Sequence, residues 1–176
     1  MQIDTGQRTI IIFHEDAILL KYAIKGIEIP HKGAILSCTV MDIYAETILD
    51  HYRHPKAKKR LSQPSVSHAE TNPACGDELT IDLRIENGSV KELGWDGTGC
   101  AISQAAMSML SEEIMGKPEA DLGAFTQKDI YAMLGVPIGP RRFKCALLCL
   151  HTLKNALRKS RGESAQSWSE TTALSK

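Results

Sequence analysis

The sequence predicts a domain of mixed α and β class, and three observations carry that expectation. Leu79, Ile81, Leu83 and Ile85 alternate with Thr80, Asp82, Arg84 and Glu86, the pattern of a half-buried antiparallel strand. Asn87-Gly88 follows as a tight hairpin turn. Ala101 to about Met115 and Arg141 to about Arg158 then carry apolar residues at helical spacing.

Composition narrows the function classes. At 176 residues, 43% hydrophobic and 24% charged, the chain suits one domain with its own core. Lysine plus arginine equals aspartate plus glutamate at 21 each, so no overall charge favours nucleic acid or an anionic membrane. No apolar run approaches the roughly 20 residues needed to span a bilayer, and the N-terminus has no signal-peptide pattern, so a cytoplasmic protein is expected. In a reducing compartment the five cysteines, Cys38, Cys75, Cys100, Cys145 and Cys149, point to metal or redox chemistry in preference to disulfides.

Taken in order, the first 40 residues form an extension of no assigned role, with a β-branched run at Thr9–Phe13 and helical spacing at Ile18, Leu19, Tyr22 and Ala23. Cys38 belongs to this segment as a small apolar residue in a strand-like run. Asp42 caps an amphipathic helix whose apolar face comprises Ile43, Tyr44, Thr47, Ile48, Leu49 and Tyr52, and Pro55 ends it. Beyond it, His51, Arg53, His54, Lys56, Lys58, Lys59 and Arg60 make a basic stretch, either a solvated helix end or a docking patch for an acidic partner. Here the histidines lie outside any ligand spacing and are expected at the surface. Gln63 to Thr71 is polar and reads as a loop leading into an edge strand. The return strand after Asn87-Gly88 has Val90 in phase and Leu93 and Trp95 out of phase, which predicts a bulge or a strong twist. Gly116 and Pro118 close the helix that starts at Ala101. One or two short helices are expected over 120–134, with Thr126 as a cap, then a rigid connector at 135–140. Residues 160–176 lack periodicity and read as a disordered tail.

The chemistry lies at three places. Asn72-Pro73-Ala74-Cys75-Gly76-Asp77, Gly97-Thr98-Gly99-Cys100 and Arg142-Phe143-Lys144-Cys145 each set a cysteine at the edge of a regular element. Gly76 permits the backbone twist that aims Cys75 and Asp77 to one side. Cys100 stands where a helix begins, and the unpaired N–H groups there favour an anionic ligand. Three cysteines and Asp77 suffice for a four-coordinate metal, and soft thiolates with one exchangeable carboxylate suit zinc, ferrous iron or an iron-sulfur cluster. Ligands 25 and 45 residues apart come from separate elements, so the site presupposes a folded domain. Cys149, one helical turn past Cys145, is read as a core thiol. A cysteine hydrolase would need a histidine base, and His51, His54, His68 and His151 carry no such signature.

On these motifs, together with Asp50-His51-Tyr52 and Pro55, residues 41–159 resemble the U-type iron-sulfur cluster assembly proteins, the family of the IscU scaffold, the NifU N-terminal domain and the SufU sulfur acceptor. The resemblance implies a compact α+β domain of SufE/NifU-like fold, with about three antiparallel strands packed against helices and the cysteines and Asp77 at one exposed end. It implies a protein that receives persulfide sulfur from a cysteine desulfurase, binds zinc or a nascent [2Fe-2S] cluster, and serves downstream scaffold or carrier proteins. It is a scaffold or relay more than a classical enzyme. Cys75, Asp77, Cys100 and Cys145 are the implied ligands, Cys75 the acceptor with Cys145 as the alternative, and Arg142 a cation beside the thiolates. Lys144 before the third cysteine, with Arg142 ahead of it, is similar to the zinc-bound sulfur-acceptor branch, although the interval before Cys145 is short for that branch's insertion. The competing interpretation is a structural zinc domain without sulfur transfer.

Overall fold

The structure, a computed structural model, describes residues 36–172, with side chains from residue 43 onward. The strand-like and helical patterns before residue 26 and the side chain of Cys38 lie outside the described residues. The elements run α1 (Leu36–Arg53), β1 (Val66–Asn72), β2 (Asp77–Glu86), β3 (Ser89–Thr98), α2 (Ala101–Ile114), α3 (Glu119–Leu122), α4 (Gln127–Leu134), α5 (Phe143–Ser160) and α6 (Trp168–Thr172). This is an α+β domain whose three strands form one antiparallel sheet in the order β1-β2-β3.

The sheet positions everything else. Its register pairs Asn72 with Asp77 across β1 and β2, and Glu78 with Thr98 across β2 and β3. The expected bulge occurs where pairing shifts from Arg84–Glu92 to Ile85–Val90, leaving Lys91 without an opposite residue. That extra residue brings Val90, Leu93 and Trp95 all into the interior. Helix α5 lies across β1 and β2 while α2 packs between α1, α5 and β3. Ile81, Leu83, Trp95, Leu110 and Leu147 are each fully buried between these layers.

Five sequence expectations change. The stretch read as a loop over 63–71 supplies most of β1, Val66–Asn72, because it pairs with β2 along its whole length. Helix α1 begins at Leu36, ahead of Met41, so Cys38 falls in a helix and not a strand. On α1, Leu49 and Tyr52 point outward at 42% and 47% exposure, while His51 is buried and its Nδ1 is 2.8 Å from Ser108 Oγ. An apolar stripe read from type alone missed this because the partner on α2 is polar. Asp82, assigned to the solvent side by alternation, is fully buried, since the chain after α1 folds back over it and supplies Arg60 and the Leu61 N–H. The stretch read as a tail without periodicity contains α6: Trp168 stacks on His151 at 4.1 Å, and Thr171 Oγ1 lies 2.7 Å from His151 Nδ1. A five-residue helix has no periodicity to detect, and it is held from outside by α5.

Short-range signals behave as expected. Asp129 accepts hydrogen bonds from both the N–H and the hydroxyl of Thr126, capping α4. Part of the basic stretch has structural partners: Lys58 donates to Gln104 at 2.7 Å and lies over the Trp95 ring.

Candidate metal centre

Three elements meet at one end of β2. The β1–β2 connection is a tight turn in which Asn72 O accepts the N–H groups of Cys75 at 3.2 Å and Gly76 at 2.9 Å. Gly76 takes φ of +71°, the left-handed conformation a side chain would strain. The turn leaves Cys75 exposed and delivers Asp77, 2% exposed, at the first position of β2. From the far side, the first turn of α5 brings in Cys145, also 2% exposed. One ligand atom each of Cys75, Asp77 and Cys145 lies within 4.8 Å of the others.

Cys100 is adjacent but outside that group. It is the N-cap of α2, half-buried, and its N–H donates to Asp77 Oδ1 at 3.1 Å. Gly99 makes that approach possible, because a Cβ there would stand 2.8 Å from Asp77 Oδ1 and 2.5 Å from Ser103 Oγ. Arg142 is the N-cap of α5 and exposed, and its side chain has no hydrogen bond or ion pair among the described residues. Cys149 is fully buried and donates to Ala146 O at 3.4 Å. Burial pushes its thiol up to about 12. His51, His68 and His151 have other partners, and among the described residues no histidine is hydrogen-bonded to a cysteine.

The electrostatics favour a cation. Asp77 Oδ2 is buried and has no hydrogen-bond partner among the described residues. A carboxylate oxygen in that position carries an uncompensated desolvation cost that a bound metal would offset. The Cys145 thiol donates to Cys75 Sγ at 3.2 Å. Burial, followed by the neighbouring Cys75 and Asp77, raises the Cys145 thiol far above its ordinary range, so without a counter-charge three acidic groups share one small space. Two thiols and a hard carboxylate fit zinc or iron by donor type.

A family model described as the NifU-like N terminal domain matches residues 43–167. The chain belongs to this family. Within the NifU-like family, the iron-sulfur cluster assembly scaffold protein IscU of Thermotoga maritima is 32% identical over 133 residues, covering 66% of this chain and 94% of the relative. The zinc-dependent sulfurtransferase SufU of Bacillus subtilis is 30% identical over 142 residues, covering 68% of this chain and 92% of the relative. A crystal structure of the N-terminal part of a nitrogen-fixing NifU-like protein from Brucella abortus matches with a TM-score of 0.59 at 21% identity. It covers 71% of this chain and 99% of that one, a likeness of fold. The chain is thus a member of the iron-sulfur cluster assembly scaffold family. Among the described residues no helix is long and apolar enough to cross a membrane.

Asn72 is the site residue that residue types alone did not single out. Its side chain is fully buried and its Nδ2 donates to Cys145 Sγ at 3.5 Å. An asparagine ahead of a proline reads as turn chemistry, and only the fold brings α5 to it.

Proposed function

We propose that this protein is a sulfur acceptor in iron-sulfur cluster assembly, receiving sulfane sulfur from a cysteine desulfurase and holding zinc, or a nascent [2Fe-2S] cluster, through Cys75, Asp77, Cys100 and Cys145. The convergence of Cys75, Asp77 and Cys145 around an unpartnered buried oxygen is the observation that carries this reading. Lys144 before Cys145 favours the zinc-bound acceptor branch over a scaffold that builds the cluster itself. Delivery is then to downstream scaffold or carrier proteins, in the cytoplasm.

Bound zinc keeps coordinating sulfurs deprotonated and occupied until a partner docks. The transfer itself belongs to the chain. The Cys75 thiolate attacks the terminal sulfur of the desulfurase persulfide; the new S–S bond forms on Cys75 as the old one breaks, and the desulfurase cysteine leaves as a thiolate. No oxidant is consumed. Cys75 suits this role because it is the exposed sulfur of the group, whereas Cys145 is buried. Asp77 is the exchangeable ligand, and Arg142 supplies positive charge near the thiolates.

The core supports a functional over a purely structural metal. The hydrophobic core, with Ile81, Trp95, Leu110 and Leu147, is built without any of the ligand residues, so chelation should leave the domain folded. Metal analysis of protein purified without oxygen, followed by persulfide transfer with each cysteine replaced in turn, tests the proposal. Zinc or iron near one per chain is expected, with transfer lost in Cys75→Ala and faster zinc exchange in Asp77→Ala. Undiminished transfer to Cys75→Ala moves the acceptor role to Cys145. Unfolding on chelation with no transfer at all leaves a structural zinc domain.

A further inference from the structure

The two closest sulfurs of the site are not equivalent, and one side chain accounts for the difference. Asn72 is fully buried at the last pair of the β1–β2 ladder, opposite Asp77. Its backbone carbonyl takes the N–H groups of Cys75 and Gly76, and its Oδ1 takes the Ala74 N–H at 3.2 Å. With its acceptors committed to the turn, Nδ2 donates across the interior to Cys145 Sγ, 73 residues away in sequence. A single amide therefore shapes the loop that exposes Cys75 and places a donor on Cys145.

A hydrogen bond to a ligand sulfur fixes its position and draws electron density from it, so it stays oriented toward the site and is a poorer nucleophile. Cys75 has no such amide donor among the described residues and is exposed, while Cys145 is buried beneath it. We propose that Asn72 is a positioning residue that holds Cys145 as the retained sulfur and leaves Cys75 as the one offered to an incoming partner. The inference deepens the sulfur-acceptor proposal and rests on it for the identity of that partner.

Two variants separate the halves of the side chain's work. Asn72→Ala removes both contacts; Asn72→Ser keeps a hydroxyl that can accept the Ala74 N–H but is too short to reach Cys145. The full chain and both variants are reconstituted with cobalt(II) alone, and in the metal-free state are treated with limiting iodoacetamide and mapped by mass spectrometry. In the parent, Cys75 is expected to be alkylated well ahead of Cys145. In both variants the thiolate-to-cobalt absorption band should move to longer wavelength and the Cys75 to Cys145 ratio should fall severalfold, with zinc binding in Asn72→Ala weakened by about tenfold. Asn72→Ser should regain parental folding stability without regaining the band or the ratio. A serine variant that restores all three shows that Asn72 acts only through the turn and overturns the proposal, as does equal alkylation of the two cysteines in the parent. If no variant or parent binds cobalt or zinc, the metal assignment fails, and the alkylation ratio alone decides the role of Asn72.

Discussion

Two aspartates of one strand, Asp77 and Asp82, are almost equally buried, at 2% and 0% exposure, and very unequally satisfied. Asp82 takes Arg60 through Nε at 2.6 Å and Nη2 at 3.0 Å, and the Leu61 N–H at 3.0 Å. Those partners hold its carboxyl below the ordinary range although burial pushes the other way. Asp77 has the Cys100 N–H on one oxygen, and among the described residues its other oxygen has no hydrogen-bond partner. The first carboxylate pins a connecting segment to the sheet and is complete in the chain as it stands. The second is incomplete beside two thiols, and an unsatisfied buried acceptor persists where something outside the chain completes it.

The sharpest way to break this contrast is substitution at both positions. Asp82→Ala removes the acceptor of both the Arg60 guanidinium and the Leu61 N–H and should destabilise the metal-free domain by about 2 kcal/mol while leaving zinc stoichiometry intact. Asp77→Asn keeps an acceptor for Cys100 and removes an unpaired charge, so metal-free stability should hold or rise by up to ~1 kcal/mol while zinc affinity falls at least tenfold. Urea unfolding and competitive zinc titration read the two effects. Equal destabilisation by both changes would erase the distinction.

Acid titration sharpens it by locating the groups that do respond to pH. Burial holds His51 and His151 below the ordinary histidine value, outweighing the nearby Glu112 and Glu70 carboxylates. The unfolded chain then binds more protons than the folded one just below about pH 6.5. Their contribution is complete above that value and is lost as pH falls through the lowered folded pKa. Glu70 adds a loss at lower pH, because hydrogen bonds from His68 and Asn155 overcome the effect of its burial. The urea midpoint of the metal-free protein should therefore drop between pH 7 and 5, and Asp77→Asn should show the same drop. A flat profile would mean that these histidines are not buried in solution.

The smallest effect belongs to Cys149, one helical turn from Cys145, whose thiol donates to the Ala146 carbonyl. Cys149→Ala should cost about 1 kcal/mol in stability and change the zinc content not at all. Loss of metal would put Cys149 in the site and end its assignment to the core.

Local patterns settled much of this protein in advance. The alternation of β2, the Asn87-Gly88 turn, the bulge in β3 and the cap at Thr126 depend on neighbours a few residues apart, so residue order is enough to specify them. The same holds for the positions of Cys75, Cys100 and Cys145 at element edges. Tertiary structure decided what depends on distant partners: the burial of Asp82 beneath Arg60, of His51 against Ser108, the docking of α6 on His151, and the Asn72 amide on Cys145. It also brought Cys75, Asp77 and Cys145 within 4.8 Å while leaving Cys100 at the edge. A polar side chain's place is set by whichever group can satisfy it, and in each of these cases that group lies on another element which only folding brings near.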